Sequence, residues 1–259
     1  MPQFAANLSM MFNEVPFLDR FKAASAAGFT AVEFLFPYEY SPEEVAAKAK
    51  AAGTQVVLFN MPAGNWGAGE RGITGLPGRE QEFREGVDKA LLYAEHLGTA
   101  RLHAMAGIAP AGADAAACRA TLIANLKYAA EKLAAKNITL LLEAINTRDM
   151  PGFIVSMQKD SHAICEAVAA PNLKMQMDLY HMQVMEGDLA TSLKRYSSEC
   201  GHIQIAGCPE RHEPDTGEVR YEYLYRVIDE IGYQGWLGCE YRPAGKTTEG
   251  LAWFSAATR

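Results

Sequence analysis

Short apolar runs alternate along the whole chain with longer stretches in which apolar residues recur every three or four positions. The first kind of pattern predicts buried strands and the second predicts amphipathic helices. Eight strands are predicted: 4–9 (FAANLS), 31–36 (AVEFLF), 54–60 (TQVVLFN), 100–106 (ARLHAMA), 138–146 (ITLLLEAIN), 173–181 (LKMQMDLYH), 202–206 (HIQIA) and 236–242 (WLGCEYR). A helical pattern follows each one. The stretch 17–28 ends on Gly28, and 41–53 opens with Ser41 as N-cap, Pro42 in the first turn and Glu44 at the third helical position, then stops at Gly53. These are the residues that begin and end helices, because they satisfy or avoid the unpaired N–H groups and adopt the left-handed exit.

Eight βα units in 259 residues match the size and period of a (β/α)8 TIM barrel, with an open doubly wound sheet as the alternative. No Pro/Gly/Ser-rich linker or low-complexity segment interrupts the period, so residues 1–259 are expected to form a single domain. Two connections are long, 61–79 after the third strand and 207–220 after the seventh. Both lie on the βα side, where barrels of this kind build their sites, and are expected to act as lids or substrate loops.

Composition narrows the chemistry. With 49% hydrophobic and 21% charged residues the chain is a globular protein, and its net charge of -7 offers no basic field for nucleic acid. The five cysteines are odd in number and show no CxxC spacing, which argues against disulfides and zinc knuckles and for a reducing compartment. No membrane-spanning run and no signal-peptide pattern occurs, so a cytoplasmic location without membrane or nucleic-acid partners is expected; a homo-oligomer is compatible with these data. The GAGERG stretch (67–72) matches GxGxxG in letters, but it begins well past its strand and opens no helix, so it is not a dinucleotide fingerprint. No P-loop or nucleophile-elbow motif is present.

One side chain with a ligating oxygen falls near the end of each of the last four strands: Glu143, Asp178, Gln204 and Glu240. In a closed barrel these ends converge on one mouth, and unpaired inward carboxylates there would repel one another and lose hydration. A divalent cation removes that conflict. Three carboxylates and an amide are oxygen donors, which favours Mg²⁺ or Mn²⁺. Glu143 and Glu240 come from well-separated strands, so such a pair can take a proton from one carbon and return it to its neighbour, the chemistry of aldose–ketose isomerisation.

Other residues have two readings each. His181, three after Asp178, either orients substrate and supports a ligand or is a helix-start histidine bonded to backbone. Arg211, Glu70 and Arg71 in the long loops either contact an anionic substrate or are solvated. His202 shares the face of Gln204 but lies deeper and is read as structural. Met175, Met177, Met182 and Met185 are read as packing. Arg242 shares the alternation of Glu240 and either neighbours the substrate or pairs with an acid at the rim.

The chain resembles the hydroxypyruvate isomerase family of the xylose isomerase-like barrels. The likeness rests on FAANLSMMF, VEFLFPYEY, MPAGNWGAGERGI with LPGREQEFR, LLEAIN, MDLYHMQVMEGD, GHIQIA, RHEPDTGEV and GWLGCEYRP, and spans nearly the whole sequence. It implies a metal held by Glu143, Asp178, Gln204 and Glu240, with Glu143 and Glu240 as the proton-transfer pair. The implied substrate is a small hydroxy-oxo acid, either hydroxypyruvate or a four-carbon 2-oxotetronate. Where the family usually continues QIA with Asp-Asn-Pro, this chain has Gly207, Cys208 and Pro209, which puts substrate choice in question. The rival readings are a ketose 3-epimerase, in which histidine usually replaces Gln204, an endonuclease of the same superfamily, which needs a basic face and a histidine-rich zinc cluster, and a non-catalytic barrel used for binding.

Overall fold

The computed structural model describes residues 2–258; positions 1 and 259 of the expected domain lie outside the described residues. The strands are β1 (Gln3–Asn7), β2 (Ala31–Phe34), β3 (Gln55–Asn60), β4 (Arg101–His103), β5 (Thr139–Glu143), β6 (Leu173–Asp178), β7 (Cys200–Ile205) and β8 (Trp236–Cys239). They pair in parallel, in sequence order, and close into a barrel. Closure is made by β1 against β8, with Phe4 beside Leu237 and Ala6 beside Cys239, so the open doubly wound sheet is ruled out.

The helices are α1 (Phe17–Ala26), α2 (Pro42–Ala52), α3 (Glu80–Leu97), α4 (Ala115–Ala134), α5 (Gln158–Val168), α6 (Leu179–Met185), α7 (Leu189–Arg195), α8 (Tyr221–Glu230) and α9 (Ala252–Ala257). The predicted signals operate at α2: the Ser41 hydroxyl accepts from Glu44 N–H, the Glu44 carboxylate reaches back to Ser41, and Gly53 takes φ 66°. Gly28 has φ 98° just past α1. One correction concerns strand length. Six of the eight end two or three residues before their predicted ends, although apolar residues beyond those ends, such as Leu8, Met105, Ile145 and Tyr241, stay buried: burial continues into the βα loops after the ladder stops. β3 ends where predicted, at Asn60, and β7 begins two residues early, at Cys200, and ends one early, at Ile205. The segment after β6 also splits into two short helices at Gly187, which has φ 67°.

The main core lies between the strands and the surrounding helices, with Phe21, Phe34, Phe59, Leu102, Leu122 and Leu126 fully buried in it. A smaller apolar group, Ala5, Ala31, Val57, Leu58 and Leu141, forms a second cluster. Residues two further along three of these strands are polar and buried: Asn7 after Ala5, Glu33 after Ala31 and Glu143 after Leu141. Since side chains alternate along a strand, these polar groups share a face with the small apolar ones. The barrel interior therefore changes from apolar to polar toward the strand ends.

On the outside, His162 of α5 lies 2.6 Å from the Glu199 carboxylate, whose hydrogen bond raises the imidazole pKa above its ordinary value. A histidine raised on folding stabilises the protein below its unfolded pKa of about 6.5 and loses that contribution as pH rises through the folded value. Both side chains are about one-third exposed, at 30% and 32%, so solvent screening limits the contribution to below about 1 kcal/mol. Thermal melts of His162→Gln should fall short of the wild type near about pH 6 and converge with it near about pH 9; an offset that is flat across this range would remove the ion pair from the stability.

Candidate active site

Four chain segments meet at the mouth. Glu143 is the last residue of β5, Asp178 the last of β6, Gln204 the penultimate of β7, and Glu240 follows β8 directly, its N–H still bonded to Ile205 O at 3.2 Å. All four are buried. Ligand atoms of Glu143, Asp178, His181 and Glu240 all lie within 4.8 Å of one another.

Each acid is held differently. Asp178 caps α6, its Oδ1 accepting from Tyr180 N–H at 2.8 Å and His181 N–H at 3.3 Å, while Oδ2 lies 3.3 Å from Arg211 Nη2. Glu240 Oε2 accepts from Arg211 Nη2 at 2.6 Å and Oε1 from Asn7 Nδ2 at 3.2 Å. Glu143 Oε1 is buried with no hydrogen-bond partner. Burial pushes Glu143 well above the usual carboxylate range, with Glu240 and Asp178 adding repulsion. Burial likewise raises Asp178 and lifts Glu240 to about 8, against the lowering pull of Arg211.

Arg211 therefore stands at the centre of the acids as a guanidinium. Its φ of 60° turns the backbone of the loop after β7 inward, and Arg242 N–H bonds its carbonyl at 2.8 Å. Its guanidinium also lies over the Tyr180 ring, 4.8 Å from the centroid. His181 belongs to the same group. Its Nδ1 is 2.6 Å from Asn146 Nδ2, its Nε2 is 3.3 Å from Arg211 Nη2, and burial followed by Arg211 drives its pKa well below the ordinary histidine value. It is a neutral imidazole facing the acids, not a side chain spent on backbone.

Gln204 Nε2 donates to Glu33 Oε1 at 2.7 Å, and its Oε1 accepts from Gln176 Nε2 at 2.6 Å. A carboxylate only accepts, so the amide nitrogen must face Glu33 and the oxygen is its other end. His202 bonds Glu33 Oε2 at 2.7 Å, which fits its structural reading. The methionines pack as expected: Met175, Met177 and Met182 are core, and Met185 Sδ accepts from Thr147 N–H at 3.5 Å.

Glu70 and Arg71 are not gathered here. Glu70 accepts from Arg79 Nη1 at 2.8 Å and from Asn65 N–H, and Arg71 stacks on Trp66 at 4.0 Å while donating to Trp66 O at 3.0 Å. Both serve the fold of their own loop, whose GAGERG stretch runs through a single 3-10 turn, Trp66–Ala68. The Arg242 side chain is exposed, while its carbonyl lies 2.7 Å from His212 Nδ1, so its backbone anchors the loop that carries Arg211. Gly207 has a concrete reason to lack a side chain: a Cβ there would lie 2.5 Å from Glu213 O and 2.7 Å from Thr216 O.

Several residues at the site carried no signal at the sequence level. Asn7, Glu33 and His103 lie on the first, second and fourth strands, away from the four that share the acid spacing. His103 Nδ1 is 3.7 Å from Glu143 Oε2, and burial pushes its pKa down to about 3. Asn146, three past Glu143, was the most accessible to inspection, as a polar residue closing an apolar run.

The residues present fit a divalent cation. Three carboxylates converge in a buried space, and Glu143 Oε1 has no hydrogen-bond partner, its neighbour His181 Nε2 lying 3.8 Å away. Among the described residues no helix is long and apolar enough to cross a membrane, and all five cysteines are free.

The xylose isomerase-like TIM barrel family matches residues 21–257. A 2-oxo-tetronate isomerase from Cupriavidus necator is 57% identical over 253 residues, covering 98% of this chain and 97% of that protein. A hydroxypyruvate isomerase from Escherichia coli is 46% identical over 253 residues, covering 98% of each chain. Among solved structures, a protein from Brucella melitensis described as an AP endonuclease, family 2, superposes with a TM-score of 0.97 at 52% identity, over 99% of both chains.

Proposed function

From its membership of the xylose isomerase-like TIM barrel family, we propose that this chain is a metal-assisted isomerase of a small hydroxy-oxo acid. The single observation that carries this reading is the buried convergence of Glu143, Asp178 and Glu240, with Glu143 Oε1 left without a hydrogen-bond partner. Relatives at 57% and 46% identity are named for isomerisation of 2-oxo-tetronate and hydroxypyruvate, which supports the substrate class.

Glu143, Asp178, Gln204 and Glu240 would hold Mg²⁺ or Mn²⁺, with His181 beside them. A divalent ion bound there supplies Lewis-acid polarisation of the substrate carbonyl and offsets the charge of the acids. The protein's own groups move the protons. One of Glu143 and Glu240 removes the proton from the hydroxyl-bearing carbon next to the carbonyl, giving an enediolate. The other returns a proton to the former carbonyl carbon, and the hydroxyl proton passes between the two oxygens, so substrate and product have the same atoms and charge. For hydroxypyruvate the product is tartronate semialdehyde; for 2-oxotetronate it is the 3-oxo isomer.

In the metal-free protein burial raises the proton affinity of both glutamates, the direction that a group which must take up a proton requires. Asn7 and Arg211 fix the two oxygens of Glu240, and Arg211 is the cation best placed to meet the substrate carboxylate. The burial of all these groups keeps water from competing for the enediolate. Reduced thiols and an anionic metabolite agree with a cytoplasmic enzyme.

Exchange in D₂O tests the proposal. Incubation with hydroxypyruvate and with 2-oxotetronate, followed by NMR, should show deuterium entering the carbon next to the carbonyl only with added Mg²⁺ or Mn²⁺, and EDTA should stop it. Exchange that ignores the chelator, or none on either acid, would overturn it. Incision of abasic-site DNA by the same preparation, without exchange, would move the chain to nuclease chemistry, a reading that its net charge of -7 disfavours.

A further inference from the structure

Below the acids lies a carboxylate that the proposed reaction does not use. Glu33, in the middle of β2, is 0% exposed. Its Oε1 accepts from Gln204 Nε2 at 2.7 Å and from Asn7 Nδ2 at 3.0 Å, and its Oε2 lies 2.7 Å from His202 Nε2. Among the described residues no lysine or arginine pairs with it.

The space for this carboxylate is built into β8. A Cβ placed on Gly238 would lie 2.3 Å from Glu33 Oε2 and 2.4 Å from Oε1, closer than any side chain allows. Gly238 is also the register partner of Gln204 on β7 and of Ala5 on β1. Burying an acid without a lysine or arginine costs several kcal/mol by general estimates, and an apolar residue would fill the same volume more cheaply. A purely packing role therefore does not account for it.

Two of the four proposed ligands depend on this group. The bond to Glu33, at the nitrogen, and the bond that the oxygen accepts from Gln176 Nε2 at 2.6 Å together fix which end of the Gln204 amide is oxygen. Asn7 Nδ2, held by Glu33, is the same atom that reaches Glu240 Oε1 at 3.2 Å. We propose that Glu33 is a positioning residue of the active site, aligning the Gln204 oxygen directly and Glu240 through Asn7; this rests on the metal-assisted reading above.

The test measures Mn²⁺ affinity by calorimetry, far below the melting temperature, for the wild type, Glu33→Ala, Glu33→Asp and Glu33→Gln. Removing the groups that orient metal ligands typically costs 10- to 100-fold in affinity, so Glu33→Ala should weaken Mn²⁺ binding about tenfold or more. Glu33→Asp keeps the charge but withdraws it by one methylene, and should lose about fivefold. Glu33→Gln keeps an oxygen for Gln204 and Asn7 and offers an N–H to the other tautomer of His202, so it should stay within about threefold of the wild type. A residue that served packing alone would change the melting temperature without this ranking of affinities. If Glu33→Ala does not fold, Glu33→Asp decides. Wild-type affinity in a folded Ala or Asp variant overturns the role of Glu33 alone; failure of the wild type to bind Mn²⁺ overturns the metal reading and this proposal with it.

Discussion

Replacing Glu240 by Gln is expected to lower kcat by about a thousandfold, or about 4 kcal/mol of transition-state stabilisation, and to leave the barrel folded. The two side chains have nearly the same shape, but the amide does not take up and release a proton. The substitution also breaks a local pattern, because both oxygens of Glu240 accept, one from Arg211 and one from Asn7. The new NH₂ group must face one of those donors. That conflict costs about 1–3 kcal/mol, a few degrees of melting temperature in a chain of this size. Turnover measured beside a circular-dichroism melt separates the two effects. Ordinary turnover in a folded Glu240→Gln protein would take Glu240 out of proton transfer and leave Glu143 with an unidentified counterpart.

Arg211→Met should produce the largest loss of stability, and the loss should depend on metal. In the metal-free protein Arg211 is the only cation in contact with Asp178 and Glu240 among the described residues, at 3.3 and 2.6 Å. Removing one partner of a buried ion pair leaves uncompensated charge and typically costs about 3–5 kcal/mol, roughly 10 °C for a protein of this length. Mn²⁺ replaces the missing positive charge, so the deficit should shrink when the ion is added. It should also shrink toward acid. Without Arg211 the acids have pKa values raised further above those of the unfolded chain, so the folded state holds more protons, and stability falls as pH climbs from about 5 to about 8. Melts with and without Mn²⁺ at both ends of that range give four values. Equal melting temperatures for the two proteins in EDTA would mean that the guanidinium does not neutralise the acids.

The sequence made the barrel and its acids visible because both are periodic. Glu143, Asp178, Gln204 and Glu240 recur once per βα unit, and each falls at or near the end of its strand, so their convergence follows from strand order alone. Glu33 has no such signature. A lone acid between Val32 and Phe34 reads as the polar position of a half-exposed strand. Its burial follows from barrel closure, which places β8 on the far side of β1 from β2 and so brings β2 within reach of β7 and β8, and this rests on long-range pairing. In the ligand-free structure the loop residues are held locally for a related reason. Glu70 and Arg71 have the charge expected of substrate ligands, but their partners Arg79 and Trp66 are close neighbours in the chain, and short-range bonds consume them. Arg211 looks no different in sequence, yet its positive φ and the backbone of Arg242 turn it into the site.

Asp178 uses one oxygen to start α6 and presents the other to Arg211. On the proposed reaction the position therefore has two duties, one to shape and one to chemistry, whereas Glu143 and Glu240 would serve chemistry and cap no helix. In a descendant that has abandoned catalysis, the two glutamates are free to drift, but the aspartate still has a helix to begin. A barrel of this lineage that retains the aspartate and has lost both glutamates should accordingly be counted among the retired enzymes.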